Sequence, residues 1–308
     1  MRGNWRTGSD VVVVTGAGGF VGRAAVRELL ARGARVRALV RRVAEEVEEG
    51  GVDDPARLAW VTGDLTEPGA VAGLCEGAGA VVHLASYIGS DEAMCRAVNT
   101  DGARAVMGEA RRAGVRRVVH LSTAAVYGAG PHSGVEVGGI PAEPVSAVSR
   151  SRLAGERFAL EAGGAVLRPG LVLGDGDRWV VPGLRELTAR VPAVWDGGRA
   201  LLSVVDVTAL GRLVAALALL ERPVPAGVYH ASHPVPVRIG DLIAGLVARG
   251  VLPPVPDADW PWEVCLERFR ASRGRASERQ FALVGRDHWY VSEEVWRVAG
   301  CDPGPRNW

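Results

Sequence analysis

The stretch VVVVTGAGGFVG, residues 11–22, is the feature that most limits what this chain can fold into. Its run of four valines predicts a strand that is buried on both faces, as parallel strands are. Glycines then follow at Gly16, Gly19 and Gly22, and an amphipathic segment begins at Phe20. A strand that enters a glycine turn and leaves it as a helix is the first unit of a doubly wound α/β fold.

The glycine spacing also indicates what the turn can bind. Glycine lets the chain turn sharply, lets backbone approach a pyrophosphate and lets the helix pack closely on the sheet. The helix that starts at Phe20 and Val21 would then present free N–H groups to phosphate oxygens. Strand, turn, helix and next strand follow in the required order, so the pattern predicts a dinucleotide site rather than a merely structural turn.

The end of the second predicted strand indicates which dinucleotide binds. Chains that bind NAD usually carry an acidic residue there, about 20 residues after the glycines, which holds the ribose hydroxyls. This chain has Arg41 and Arg42 instead. Guanidinium groups hold a phosphate with paired hydrogen bonds, so the sequence favours NADP(H) over NAD(H). A solvated arginine is the alternative interpretation, more so for Arg42 than for Arg41.

The remainder of the first half alternates apolar runs with amphipathic segments. We predict strands at residues 10–15, 34–40, 58–62, 80–84, 117–121 and 165–168, and helices at residues 20–32, 67–75, 91–113 and 147–161. This alternation favours right-handed βαβ units. The predicted fold class is therefore α/β, with a Rossmann-type doubly wound parallel sheet.

The second half is richer in proline and glycine and less regular. It carries helix patterns at residues 207–220, 239–248 and 263–270, and one strand near residues 227–231. We predict that residues 1–170 form an NAD(P)-binding Rossmann domain, to which residues 200–235 return. Residues 171–308 are predicted to form mainly a smaller, mixed C-terminal lobe that binds the substrate.

Composition argues against several other functions. The 308 residues carry a net charge of +1, so no global field favours nucleic acid or an anionic membrane. No apolar run reaches the ~20 residues of a membrane span, and no signal-peptide core precedes the first strand. The four cysteines are scattered, and no His/Cys cluster has zinc spacing. We therefore expect reduced thiols, a cytoplasmic protein and no metal site.

Seven motifs together resemble the extended short-chain dehydrogenase/reductase family, which includes nucleotide-sugar epimerases, dehydratases and dihydroflavonol reductases. They are TGAGGFVG at residues 15–22, GDL at 63–65, HLAS at 83–86, VNTDG at 98–102, LSTAAVYG at 121–128, SRLAGE at 151–156 and RPGLVLG at 168–174. The resemblance covers nearly the whole chain and implies a nicotinamide cofactor. It also implies cofactor contacts from Asp64, Leu65, Leu84, Ala85, Ser86, Asn99, Arg152, Pro169 and Val172.

The catalytic pair of that family is missing from this chain. In SRLAGE, Arg152 stands where the family has lysine, and Val148 stands four residues earlier, where the family has tyrosine. The family's tyrosine protonates the carbonyl oxygen, which valine cannot do. Arg152 can still hold ribose hydroxyls, but its high pKa excludes a proton relay. All 36 basic residues are arginine, so no lysine elsewhere can replace the missing one.

Other groups have to be considered as hydrogen-bond donors or bases. No tyrosine is followed four residues later by Lys or Arg, and Tyr127 is expected to pack structurally. Thr123 takes the place of the family's catalytic hydroxyl, and Ser86 and Ser146 are further candidates to stabilise an alkoxide. Two histidines in predicted strands, His83 and His120, are expected to be satisfied structural residues. His132 lies in a predicted loop, as a weak base candidate or a solvated side chain.

Tryptophan is frequent in the predicted substrate lobe. Four of the nine tryptophans attract attention there, namely Trp179, Trp195, Trp260 and Trp262. Large aromatic walls suit flat polycyclic ligands. Filling of the core is the alternative for each residue taken singly.

Three functions remain open on the sequence. A ketone flanked by a phenol carries its own hydrogen-bond donor, which favours an NADPH-dependent ketoreductase acting on an aromatic polyketide. Because it lacks this tyrosine and lysine, the chain also resembles the angucyclinone ketoreductases. That resemblance implies an angucyclinone-type substrate in antibiotic biosynthesis. The second function is a non-catalytic NADP(H)-binding regulator. The third, a residual nucleotide-sugar epimerase or dehydratase, fits less well because removing hydride from an alcohol requires a base.

Overall fold

The computed structural model describes residues 11–42, 56–222, 224–306 and 308 of the chain. In chain order its strands are β1 (Val11–Thr15), β2 (Arg35–Val40), β3 (Leu58–Thr62), β4 (Ala80–His83), β5 (Arg117–Leu121), β6 (His132–Val135), β7 (Ala165–Arg168), β8 (Leu171–Leu173), β9 (Val194–Trp195), β10 (Leu201–Leu202), β11 (Val204–Asp206), β12 (Gly227–His230), β13 (Val237–Arg238), β14 (Asp259–Trp260) and β15 (His288–Tyr290).

The helices connect these strands. They are α1 (Phe20–Ala31), α2 (Glu92–Cys95), α3 (Ala103–Arg112), α4 (Ala147–Glu161), α5 (Val180–Arg190), α6 (Val207–Leu219), α7 (Ile239–Ala248), α8 (Trp262–Ala271), α9 (Glu278–Gly285) and α10 (Glu293–Ala299). A π-helical segment, Arg96–Gly102, joins α2 to α3, and short 3₁₀ turns lie at Ala124–Tyr127 and Asp196–Gly198. None of the helices described here combines the length and the apolar character that a bilayer crossing requires.

Seven strands form the central sheet, in the order β12-β7-β5-β4-β1-β2-β3. Each neighbouring pair in it is parallel. Along β1 the side chains alternate between two cores: Val12 and Val14 join the cluster that contains α1 and α6, while Val11 and Val13 join the one that contains α3. The predicted α/β class with a doubly wound parallel sheet is therefore confirmed.

Most predicted elements begin and end within one residue of their observed bounds, and α4 and α7 match exactly the residues expected. Residue 10 of the first predicted strand lies outside the described residues. The helix predicted at residues 91–113 is present, but it is interrupted by the π-helical segment. The helix predicted at residues 67–75 is wrong, because the chain forms successive turns there. Gly69, Gly73 and Gly77 all have positive φ, of 78°, 71° and 68°, a conformation that no right-handed helix contains.

The C-terminal half of the chain contains a second hydrophobic core. Trp195, Leu202, Leu242 and Phe281 are among its most buried members. A small sheet of order β13-β10-β15-β6 lies beside this core. The remaining strands form two pairs, β11-β8 and β14-β9.

Two later segments return to the central sheet. Strand β12 adds to its edge beside β7. Helix α6 packs against α1, closely enough that a Cβ on Gly211 would lie 2.8 Å from the carbonyl carbon of Ala24. Trp296 of α10 also joins this core. The carboxyl ends of the parallel strands thereby face one common edge, where such sheets bind their ligands.

Candidate active site

The glycine turn after β1 is built so that side chains would disrupt it. Gly16 has φ 70°, and a Cβ on it would lie 2.5 Å from the backbone nitrogen of Ala85. A Cβ on Gly22 would overlap the carbonyl oxygen of Gly16. The turn therefore rests directly on the backbone of residues 84 and 85, at the end of β4.

The same turn fits the pyrophosphate of a dinucleotide. Helix α1 has Gly19 at its N-cap, and no side chain caps its first turn. The N–H groups of Phe20 and Val21 therefore stay available to an anion at the positive end of the helix dipole. When bound, a nicotinamide dinucleotide would supply the hydride, while the chain supplies position and charge.

The ends of β2 and β3 carry the charged side chains expected near the adenosine. Arg41 and Arg42 are both exposed. The Asp64 carboxylate accepts hydrogen bonds from the backbone nitrogen (2.9 Å) and the hydroxyl (2.8 Å) of Thr66. These bonds, and then the charge of Arg41, lower the pKa of Asp64. Leu65 packs on the core beside Gly102.

A buried amide holds the loop that follows β4. Asn99 donates to the Tyr87 carbonyl oxygen (2.9 Å) and accepts from the Tyr87 backbone nitrogen (2.7 Å). It also donates to the Ser151 hydroxyl at 2.9 Å and accepts a longer bond from Ser86 at 3.3 Å. With its amide engaged in this way, Asn99 can act on a cofactor through the loop that it positions.

Arg152 lies on the face of α4 that contacts the end of β5, and Val148 lies one helical turn before it. One terminal nitrogen of Arg152 donates to the carbonyl oxygens of Leu121 (2.8 Å) and Ser122 (2.7 Å). Burial lowers the pKa of Arg152 to about 10, which leaves it charged at neutral pH. Its other N–H groups make no hydrogen bond to the described residues. They remain able to hold ribose hydroxyls, whereas half-buried Val148 in the first turn of α4 offers no proton.

The three candidate hydroxyls differ in what they already bind. Ser146 caps α4, since its oxygen accepts from the Ser149 backbone nitrogen at 3.1 Å and pairs with the Ser149 hydroxyl at 2.9 Å. Ser86 donates to Asn99. Thr123 accepts from the Ala125 backbone nitrogen at 3.1 Å, but among the described residues nothing accepts its hydroxyl hydrogen. Thr123 is thus the hydroxyl that is best placed to donate to a bound oxygen.

Two predicted contacts lie on the far side of β5. Pro169 is buried, and its carbonyl oxygen accepts from the Ala124 backbone nitrogen at 2.8 Å. That bond ties the end of β7 to the turn that Thr123 caps. Val172 is half-buried in β8 and pairs with Val205 of β11.

Comparison with known proteins decides the family. Residues 12–225 match the NAD dependent epimerase/dehydratase family. The chain belongs to this family. It is therefore related to nicotinamide-dependent oxidoreductases, in agreement with the glycine turn after β1.

Named reductases are among its relatives. The chain is 36% identical over 196 residues to ceramide reductase from Caulobacter vibrioides, a match that covers 60% of this chain and only 53% of that protein. It is 30% identical over 248 residues to a 4-hydroxy-2-methyl-3-oxo-4-farnesyl-3,4-dihydroquinoline-1-oxide ketoreductase from Stigmatella aurantiaca, covering 76% and 71% of the two chains. The terminal R domain from the myxalamid PKS-NRPS biosynthetic pathway shares the fold, with a TM-score of 0.74 at 23% identity over 96% and 86% of the chains.

The buried histidines of this family member differ from expectation. His83 pairs with the Thr15 hydroxyl at 2.6 Å, and its ring stacks on His120 with centroids 5.1 Å apart. The remaining nitrogen of His83 and both nitrogens of His120 have no partner among the described residues. The expectation of satisfied histidines is therefore wrong for His120 and half right for His83. Burial lowers the pKa of His83 to about 4, so that ring is neutral at pH 7.

Tyr127 and His132 are both occupied elsewhere. The Tyr127 hydroxyl pairs with the His230 ring at 2.7 Å, and the tyrosine is buried, as expected for a packing role. His132 begins β6 instead of lying in a loop, and its ring pairs with the Tyr290 hydroxyl at 2.9 Å. Burial and the neighbouring His288 lower its pKa.

Sequence reasoning missed a buried ion pair behind the site. The guanidinium of Arg168 donates to both carboxylate oxygens of Glu156, at 3.0 and 2.6 Å, and Ser122 donates to the same carboxylate. This network fixes the ends of β5 and β7 against α4, and so positions Thr123. Two features of the sequence could have indicated this pair. Arg168 ends the otherwise apolar strand AVLR, and Glu156 follows Arg152 by one helical turn.

Several large apolar side chains are exposed on connecting segments of the chain. Four exposed residues, here called the apolar rim, lie on segments that follow the carboxyl ends of the strands: Ile88, Val145, Trp179 and Val235. Trp179 is 62% exposed, whereas Trp195 is buried in the core. Arg150 links two rim segments by donating to the Val145 carbonyl oxygen (3.2 Å) and to Glu92 (3.0 Å).

The backbone beneath Trp179 is held in place. Asp177 accepts hydrogen bonds from the backbone nitrogens of Trp179, Val180 and Val181, at 2.7, 3.0 and 2.7 Å. A Cβ on Gly176 would lie 3.6 Å from the Phe20 ring, so this loop rests on the start of α1. Trp179 is thus presented beside the glycine turn with its side chain free.

Proposed function

We propose that this protein is an NADPH-dependent ketoreductase that reduces a ketone on an aromatic polyketide of the angucyclinone type during antibiotic biosynthesis. The apolar rim carries this proposal. Large apolar side chains that are exposed on the segments following the strands suit a flat, apolar ligand. A sugar nucleotide would instead need polar and charged partners at the same positions.

The proposed reaction needs little acid chemistry from the chain. Thr123 would donate one hydrogen bond to the developing alkoxide, and Arg152 would hold the ribose and add positive charge. A phenol next to the ketone would provide the second hydrogen bond and the proton. Val148 would then contact the apolar ring at the position where other members of the family place a tyrosine.

The lack of an available base among the described residues also favours reduction over oxidation. Oxidation of an unactivated alcohol needs a base near pH 7. His83 is buried and neutral, but it is enclosed between β1 and β5, and Tyr127 is bonded to His230. The ketoreductase named among the relatives agrees with a ketone substrate.

Turnover tests the proposal directly. The protein should oxidise NADPH in proportion to an alcohol formed from a phenol-flanked polycyclic ketone. Tight NADPH binding without turnover across a panel of such ketones would favour the regulator instead. Thermal stabilisation by uridine nucleotides would favour the nucleotide-sugar enzyme.

The NADPH preference rests on Arg41. We expect Arg41→Ala to raise the Kd of NADPH by ~10- to 100-fold, because charge-assisted hydrogen bonds to a phosphate contribute about 1.5–3 kcal/mol. NADH affinity should change little. Titration of both cofactors, with Arg111→Ala on α3 as the control, checks this. An equal loss for the two cofactors would contradict a 2′-phosphate contact.

Trp179 should contribute to recognition of the flat substrate. We expect Trp179→Ala to raise the KM of a polycyclic ketone by ~10-fold through lost aromatic contact, with little change for a small aliphatic ketone. Steady-state kinetics with both substrates measure the difference. Val264→Ala, at another exposed apolar position on α8, is the matched control, and equal effects of the two variants would remove Trp179 from the site.

Division of labour and location complete the proposal. Residues 1–170, with 200–235 returning, would bind the cofactor, and residues 171–308 would mainly bind the substrate. The separate core around Trp195 and Phe281 supports such a lobe. All four cysteines are free thiols, which agrees with the cytoplasm as the proposed location.

A further inference from the structure

A cavity of about 230 Å³ lies beyond the site described above, between the chain that follows Thr123 and the helices of the second lobe. One wall is the segment 129–131, only a few residues after the turn that Thr123 caps. The opposite walls come from α8, α9 and the chain before β15. The lining residues are Ala129, Gly130, Pro131, Trp262, Leu266, Glu278, Ala282, Arg286 and His288.

The wall nearest the active site is fixed by His288. One ring nitrogen lies 3.0 Å from the Ala129 carbonyl oxygen and the other lies 3.1 Å from the Arg286 carbonyl oxygen, so the ring contacts both segments. A Cβ on Gly130 would overlap this imidazole. The cavity therefore has a preformed boundary along residues 129–131, in the segment that follows the Thr123 turn.

The floor of the cavity is aromatic. Trp262 is half-buried and stacks on Phe281, with ring centroids 4.9 Å apart. Gly285 lies against the same ring, where a Cβ would overlap it. Leu266 and Ala282 extend this apolar surface. The ring is thus held by the lobe's core on one side and borders the cavity on the other.

One arginine that lines this cavity makes no ion pair with the described residues. The guanidinium of Arg286 lies 5.4 Å from the Trp262 ring centroid and is exposed. Among the described residues no carboxylate lies within ion-pair distance of it. Glu278 is already bound by Arg270 through two hydrogen bonds of 2.8 and 2.7 Å. Asp287 accepts from the Leu201 backbone nitrogen and from Ser133, at 2.8 and 3.0 Å.

We propose that this cavity is a distal subsite for a planar, anionic end of the substrate, an aryl carboxylate or an ionised phenol. The aromatic ring would lie along Trp262, and its negative charge would pair with Arg286. The inference rests on the proposed ketoreductase function and extends it by naming a second recognition point. The volume is below the roughly 300–1,000 Å³ of a site for a whole drug-sized ligand, which agrees with a subsite for one end.

A pair of substrates tests the subsite. Two polycyclic ketones that differ only in a distal carboxylate and its methyl ester are compared with wild type and Arg286→Gln. We expect Arg286→Gln to raise the KM of the carboxylate by about tenfold and to leave that of the ester unchanged, with kcat unaffected in both. Arg279→Gln, exposed on α9 and outside the cavity, is the matched control. Equal KM changes for acid and ester, or no change for either, would overturn the subsite.

Direct binding separates this inference from the proposed function. The probe is 2-naphthoate, titrated by calorimetry into wild type, Arg286→Gln and Arg279→Gln. Weaker binding to Arg286→Gln alone supports the subsite, even if no ketone is reduced, in which case the ketoreductase proposal fails by itself. Absence of 2-naphthoate binding to wild type, or equal binding to all three proteins, overturns the subsite while leaving ketone reduction to stand on its own assay.

Discussion

Replacement of Gly22 by alanine should reduce the affinity for NADPH by about 100-fold or more, because the turn can no longer pack as the pyrophosphate requires. The new Cβ would overlap the Gly16 carbonyl oxygen and lie 2.8 Å from that of Ala17. Relief requires the start of α1 to move away from the turn. Phe20 and Val21 would then carry their N–H groups away from the phosphates.

A graded series keeps this result separate from misfolding. At Gly19 a Cβ would lie 3.1 Å from the Gly16 carbonyl oxygen, a tight contact that a small shift relieves, so Gly19→Ala should lose less affinity than Gly22→Ala. At Gly108 in α3 nothing lies within 4 Å, so Gly108→Ala should bind like wild type. NADPH titrations, alongside thermal unfolding of each variant, give the order. Equal affinities across the series would contradict the cradle.

The protein should lose stability between about pH 6.5 and pH 4. Burial lowers the pKa of His83 to about 4 and that of His230 to about 4, and lowers the pKa of His120 as well. The unfolded chain binds protons on these rings from pH 6.5 downward, while the folded chain does not. These rings therefore leave the unfolding free energy unchanged above pH 6.5, and they lower it as the pH falls towards 4. For His83 alone this amounts to about 3 kcal/mol of unfolding free energy.

Urea unfolding at a series of pH values measures this effect. His120→Leu removes a ring whose nitrogens have no partner among the described residues, so its curve should be flatter and the variant should gain stability relative to wild type at pH 5. The carboxylates with lowered pKa, such as those of Asp64 and Glu109, lose their contribution only at lower pH. Unfolding free energies that stay constant from pH 7 to pH 5 would contradict neutral buried histidines.

The backbone of this site follows from local sequence to a large extent. Buried valines and the glycine spacing are short-range signals, and α1 begins at the residue that they predict. Helix α4 also begins at its predicted residue. The failure at residues 67–75 has the same origin, because apolar spacing there suggested a helix while Gly69, Gly73 and Gly77 adopt positive φ. Periodicity does not report which glycines leave the helical region.

The state of individual side chains could not be predicted in this way. The sequence offers three candidate hydroxyls without showing which of them are already bonded. Ser146 is bonded locally to Ser149, and Ser86 is bonded to Asn99, 13 residues further along the chain. Trp179 and Trp195 are equally ambiguous until one is found exposed and the other buried. The burial and hydrogen bonding of a side chain depend on residues distant in the chain, such as Asn99 and Glu156. Local sequence patterns do not show these partners.

The hydrogen bonds of these side chains decide which group can donate to the substrate carbonyl. We propose that, among the described residues, Thr123 is the hydroxyl that donates to a bound carbonyl, while Arg152 stays charged beside it. Loss of a general acid usually costs about 10²–10⁴ in rate. We propose that a phenol on the substrate itself takes that role.

One measurement tests this claim most directly: kcat/KM for a polycyclic ketone with a neighbouring phenol, compared with its O-methyl ether, at saturating NADPH. We expect the ether to be reduced roughly 10²–10⁴ times more slowly, as happens when a general acid is removed. Reduction of both ketones at the same rate would contradict it, because the chain would then be supplying a proton donor of its own.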